Sequence, residues 1–218
     1  MVRKIITCQE SRQDVLATGC HCGAASQYEQ ALKQGLIVLS DTETVPGLHA
    51  WFDSDAAMKR LCAFKERPRD QFIYLFPDLA SIEALANLDA IRLSGLQRLT
   101  GQVRVPITFV FPSHDEDSST TVAVRVTTHP FLKPILRDCS PIASTSANVH
   151  GQPTPESLRE VSSTAREAAE VEVRFPLPST GTPSAIIDFS VRPVTVRRRG
   201  QLNESEFFAA LKAFDVVR

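Results

Sequence analysis

Seven short apolar runs, at residues 36–39, 72–76, 107–111, 122–126, 171–175, 185–189 and 194–196, constrain the fold more than any other property of the chain. Each has strand length, and several barely alternate with polar residues, the pattern of strands covered on both faces. Between them lie stretches with helical spacing, at residues 28–34, 54–64, 81–88, 91–99, 131–137, 155–169 and 204–214. In the second of these Met58, Leu61 and Cys62 form an inward stripe behind Ser54, a good N-cap, while Pro155 suits a first helical turn. Strands interleaved with helices predict an α/β fold around a mixed, twisted sheet. At 218 residues and 43% hydrophobic composition, the chain fills one core and does not require two domains.

The formal charge of −1 argues against a surface that coats nucleic acid by bulk charge, so an anion site has to be concentrated locally. No apolar run approaches the roughly 18 residues of a membrane span, and the N-terminus lacks the apolar stretch of a secretory signal. The cytoplasm is the expected location. Five cysteines, an odd number, do not predict a disulfide framework. Cys20-His21-Cys22 has one residue between its thiols where a zinc knuckle needs two, so no metal site is expected there. The polar segments 113–120 and 176–183 read as loops, either lids or plain solvated connections.

Three polar segments carry the chemistry. Lys65-Glu66-Arg67 stands at the end of the second helical stretch, before Pro68, where the chain must leave helix and can present both cations to one side. An arginine fork and a lysine point charge suit phosphate oxygens, although solvated cations are also favourable at a helix C-terminus. Arg125 lies among Val122, Ala123, Val124 and Val126, where a charge is costly unless it meets a ligand or a core carboxylate. Ser144-Thr145-Ser146-Ala147-Asn148 follows the strand-like residues 141–143 and has the composition of a turn that offers hydroxyls and N–H groups to an anion, or of an ordinary polar turn. Near the C-terminus Arg197-Arg198-Arg199 is a basic cluster or a solvated charge run.

With their flanks, segments 36–48, 64–67, 107–111, 121–130, 141–153, 184–188 and 194–200 stand in the order characteristic of the YrdC-like family, which the chain resembles from about Tyr28 to Gly200. The best-described members of that family are threonylcarbamoyl-AMP synthases of tRNA modification. The resemblance implies an α/β fold, a YrdC-like twisted mixed sheet with flanking helices and a concave basic groove. That domain would fill residues 28–218, behind an N-terminal extension of residues 1–27. The implied reaction is nucleotidyl transfer from ATP, with Mg2+, joining L-threonine and bicarbonate to AMP as L-threonylcarbamoyladenylate. On the matching positions Lys65 and Arg67 are the catalytic cations, and Thr44, Arg125, Ser144 and Ser184 bind threonine. Arg67, Thr121, Ser146, Asn148, Thr154 and Arg198 bind the nucleotide, and no residue ligates a metal. The implied partners are a downstream threonylcarbamoyl transferase complex and double-stranded RNA or tRNA.

The chain departs from the family pattern at three positions. Asp41 stands where the signature loop has proline, Pro46 where it has an aromatic, and Val105 where a later segment has glycine. Proline stiffens a loop and removes a donor, and valine restricts a tight turn. These departures motivate an alternative, a non-catalytic paralogue that binds RNA or nucleotide. The carbamoyl-transfer module of hydrogenase maturation proteins belongs to longer, multi-domain chains and does not fit this length.

Overall fold

The computed structural model describes residues 3–18, 22–86, 88, 96–97, 99–101, 103, 105–113, 120–203 and 205–206. Its elements run β1 (Lys4–Thr7), α1 (Arg12–Thr18), α2 (Ala24–Lys33), β2 (Val38–Ser40), β3 (Gly47–Trp51), α3 (Asp55–Lys65), β4 (Ile73–Phe76), β5 (Ile107–Pro112), β6 (Thr121–Val126), α4 (Leu132–Cys139), β7 (Ile142–Ser146), α5 (Ser163–Glu167), β8 (Val171–Arg174), β9 (Ala185–Asp188) and β10 (Thr195–Arg198). The strands form one mixed sheet in the order β1-β8-β2-β3-β7-β4-β6-β5-β9-β10. Pairs β1–β8, β8–β2, β4–β6 and β5–β9 are parallel and the rest antiparallel.

Both sheet faces are covered, which is why the runs barely alternate. On one face Phe72, Tyr74, Phe76, Phe109 and Phe111 pack with Met58 and Leu61 of α3. On the other, Val38, Leu75, Ile142, Val171 and Val173 lie under Tyr28 and Leu32 of α2 and Leu132 and Leu136 of α4. Those two helices cover only part of the second face. Beyond them, across β7, β4, β6 and β5, the same face lines a cavity.

All seven expected strands form. Three more join them, with β7 foreshadowed only over residues 142–143. β3, Gly47-Leu48-His49-Ala50-Trp51, has weak strand formers and is set by pairing with β2 on one side and β7 on the other. β1 adds an edge strand from the segment expected as an N-terminal extension, and Ile6 of β1, Val15 of α1 and Ala24 of α2 are buried in the second core.

Two expected helices are corrected. Among the described residues of 81–88 the helical structure is a 3-10 turn, Ala80–Ala84, introduced by the Asp78 carboxylate, which accepts from both Ser81 N at 2.9 Å and Ser81 Oγ at 2.7 Å. The stretch 155–169 splits into a 3-10 turn, Leu158–Glu160, and α5. Glu160 caps the first piece by accepting from Glu156 N and Ser157 Oγ, and Ser162 starts the second by accepting from Ala165 N at 3.2 Å. Much of the helices expected at 91–99 and 204–214, and most of the loop at 113–120, fall outside the described residues.

α3 begins as expected, with Ser54 Oγ accepting from Ala57 N at 3.4 Å. It ends in a left-handed turn at Glu66 (φ 51°, ψ 40°), where Glu66 N reaches Ala63 O and Arg67 N reaches Cys62 O, each at 3.3 Å. A β-carbon is strained in this conformation. Glu66→Gly is therefore expected to stabilise the protein by about 0.5–1 kcal/mol, net of the looser unfolded chain. Urea unfolding measures it, and a destabilised variant would contradict the account.

Candidate active site

The cavity, about 400 Å³, follows from the two-residue period of the strands that floor it. On β6, Val122 and Val124 enter the aromatic core while Thr121, Ala123 and Arg125 line the cavity. β5 divides in the same way, with Phe109 and Phe111 in the core and Thr108 and Val110 in the cavity. Register aligns Ser144, Ile73, Ala123 and Val110 across four strands as one continuous row. Around this floor stand Thr42 and Thr44 from the β2–β3 loop, Arg67 after α3, Thr154, Ser184, and Arg197 and Arg198 from β10.

Nine of the residues expected at the site thus line one cavity: Thr44, Arg67, Thr121, Arg125, Ser144, Ser146, Thr154, Ser184 and Arg198. Lys65 and Asn148 are not among its lining residues. Lys65 is 3% exposed, and its Nζ donates to Ser146 O at 3.0 Å, Asn148 O at 2.7 Å and Asn148 Oδ1 at 3.0 Å. All three ammonium protons are used in tying down the end of β7. Burial, reinforced by the Arg67 charge, lowers the Lys65 pKa to about 8. The turn after α3 gives the two cations separate tasks, since Arg67 donates to Thr145 Oγ1 and lies 4.7 Å over the Phe72 ring.

Arg125, also 3% exposed, both meets a core carboxylate and lines the cavity. Its Nε is 3.1 Å from Glu43 Oε1, and one terminal nitrogen donates to Thr44 Oγ1 at 3.0 Å. Thr127 Oγ1 donates to the other Glu43 oxygen at 2.9 Å. The Thr44 backbone N–H is held by Thr42 Oγ1 at 3.0 Å. Glu43 therefore fixes the guanidinium, a role the sequence did not reveal; the available signal was an acid inside the Thr42–Leu48 loop of a chain with a buried arginine.

Two departures from the family pattern have local explanations. Asp41 Oδ1 accepts from Ser179 N at 3.0 Å and Ser179 Oγ at 2.8 Å, fastening the 176–183 loop to the cavity wall. That loop is also held through Gly181 N to Thr44 O at 2.9 Å and Thr180 Oγ1 to Glu43 O at 3.1 Å. Pro46 keeps the group that is used there, its carbonyl, which accepts from Ala147 N at 2.9 Å.

Arg197 was not singled out from its neighbours. A bulge between Val196 and Arg198 in the β9–β10 pairing turns consecutive arginines toward the cavity. Arg197 pairs with the fully buried Asp188, and Arg198 Nε donates to Ser184 O at 2.8 Å. Gly200 then passes so close to the Ser184–Ala185 backbone that a side chain would not fit. The described lining residues include four arginines and one carboxylate, Asp70.

His49 continues the floor row, opposite Ser144, under the edge of the Tyr28 ring at 6.0 Å. It is fully buried, and neither ring nitrogen has a hydrogen-bond partner among the described residues. Burial, with the Arg125 and His129 charges, lowers its pKa to about 3. The folded value lies below the unfolded one of about 6.5, so unfolding takes up a proton below that pH and stability is lost as pH falls. Between pH 7 and 5 this group is expected to cost about 2 kcal/mol. Urea unfolding at both values should show a shallower pH dependence in His49→Leu. Equal dependence in the two proteins would refute the assignment.

The family model for Sua5, YciO and YrdC proteins, described as telomere recombination, matches residues 30–200. The threonylcarbamoyl-AMP synthase of Vibrio vulnificus is 34% identical over 143 residues, covering 62% of this chain and 77% of the relative. That of Vibrio cholerae is 31% identical over 182 residues, covering 80% and 96%. The crystal structure of P. abyssi Sua5 complexed with L-threonine superposes with a TM-score of 0.76 at 24% identity, covering 98% of this chain. This chain spans 62% of the length of that protein. No helix among the described residues is long and apolar enough to cross a membrane.

Proposed function

The chain belongs to the Sua5, YciO and YrdC family, and from that premise we propose that it is an L-threonylcarbamoyladenylate synthase serving tRNA modification. The observation that carries this reading is the convergence of Arg67, Arg125, Arg197, Arg198 and a set of Thr and Ser hydroxyls on one cavity. The threonine amine adds to CO2 or bicarbonate to form a carbamate, and a carbamate oxygen attacks the α-phosphorus of ATP with pyrophosphate leaving. From bicarbonate, one water is released. Anions meet in both steps, so positioning and cationic stabilisation carry more of the rate than proton transfer.

In this reading Arg125, held by Glu43, takes the threonine carboxylate, while Thr44, Ser144 and Ser184 orient the amino acid. Arg67 and Arg198 neutralise phosphate charge, with Thr121, Ser146 and Thr154 on the nucleotide. Lys65 and Asn148 act from behind, as positioning residues that fix Ser146. Mg2+ would enter as part of the Mg·ATP substrate, and the described lining residues would offer it one carboxylate, Asp70. A threonylcarbamoyl transferase complex takes the adenylate to tRNA in the cytoplasm. The departures at Asp41 and Pro46 do not call for a non-catalytic protein, because both residues hold the loop that carries Thr44.

The test is incubation with Mg·ATP and bicarbonate, with and without L-threonine, following pyrophosphate release and the mass of threonylcarbamoyl-AMP. Threonine-dependent product is expected. A folded protein that binds ATP and yields none would leave the nucleotide- or RNA-binding paralogue.

A further inference from the structure

No second ligand pair follows Cys22 at knuckle spacing in the sequence, but the fold brings one from upstream. Cys8, just past β1, places its Sγ 3.1 Å from Cys22 Sγ and 4.0 Å from Glu10 Oε2. The ligand atoms of Cys8, Glu10 and Cys22 all lie within 4.8 Å of one another. The sulfurs are too far apart for a disulfide, which needs about 2.05 Å, and would have to separate by about 0.7 Å to reach the roughly 3.8 Å of two thiolates on one tetrahedral zinc. We propose that Cys8, Glu10 and Cys22 form a binding site for a zinc-type soft divalent cation, remote from the catalytic cavity.

Both thiols sit on anchored backbone. Cys8 N donates to Arg174 O at 2.9 Å, extending the pairing of β1 with β8. Cys22 directly precedes Gly23, the N-cap of α2, whose carbonyl accepts from Gln27 N at 3.0 Å. A cation here would therefore clip the edge strand to the start of α2. Cys22 is exposed, which gives an ion a path to the buried Cys8. Two thiolates and a carboxylate select Zn2+ or Cd2+ over Mg2+ or Ca2+, and the described residues supply three such donors. Binding displaces the thiol protons, so affinity rises with pH.

The test uses the full chain, reduced and stripped with a chelator, titrated with Cd2+ as a spectroscopic probe and with Zn2+. One Cd2+ per chain is expected, with sulfur-to-cadmium charge-transfer absorbance and release of protons. At about 100-fold above its dissociation constant, Zn2+ should raise the thermal midpoint by about 5–10 °C. The absorbance should be lost in Cys8→Ser and Cys22→Ser and kept in Cys62→Ser. Cys22 is exposed, so its serine variant keeps the test valid even if Cys8→Ser does not fold. A folded, reduced chain without the absorbance would overturn the proposal, as would full absorbance in Cys22→Ser.

Discussion

Lys65→Ala should lower kcat/KM for ATP by about 10²–10³-fold and destabilise the fold by about 1–3 kcal/mol. The residue leaves three acceptors behind it, Ser146 O, Asn148 O and Asn148 Oδ1, at the point where β7 meets the nucleotide side of the cavity. Without the ammonium group Ser146 O keeps Asn148 N and Asn148 Oδ1 keeps Ser146 Oγ, but Asn148 O loses its Lys65 donor and the end of β7 loses its tie to α3. Lys65→Met separates the two contributions, because it keeps the aliphatic stem but supplies no donor. Full activity in Lys65→Met would reduce the residue to scaffolding. The pH dependence gives an independent readout. Lys65 titrates near 8 when folded and near 10.5 when unfolded, so the folded chain loses this proton first. Between pH 8 and 9.5 activity should fall while this group causes no loss of stability.

Arg125→Ala should abolish threonine-dependent turnover and cost about 3–5 kcal/mol, because it strands the Glu43 carboxylate in a buried site. The double variant Arg125→Ala/Glu43→Gln removes both charges. It is expected to regain most of the stability, by urea unfolding, and none of the turnover. Recovery of turnover in the double variant would show that the guanidinium does not hold substrate. Failure to regain stability would show that the ion pair is not the source of the cost.

The sequence made the sheet legible where side-chain chemistry was uniform, as in Ile107–Pro112, and the placement of Arg125 where Thr121, Ala123 and Arg125 alternate with valines. It was silent on β3, whose glycine and histidine become a strand only through neighbours on both sides. The separation of Lys65 from Arg67 was hidden because it depends on a left-handed Glu66 between them, a conformation no residue-type preference announces for glutamate. Arg197 depended on a bulge, and Arg125's link to Thr44 spans 81 residues, so neither follows from local pattern. Residue types thus marked the site, and long-range register decided which of them touch it.

The strand order also bears on how the chain is made. β2 is complete at Ser40, yet its parallel neighbour β8 begins at Val171, and β3 and β4 are both paired to β7, which begins at Ile142. At about 5–20 residues per second, a ribosome leaves β2 without β8 for roughly 7–26 s. During that interval the nascent chain exposes apolar strand edges, and the row that floors the cavity lacks Ser144. Ligand binding therefore begins late in synthesis, and before that stage substrate cannot help hold the growing chain out of aggregates.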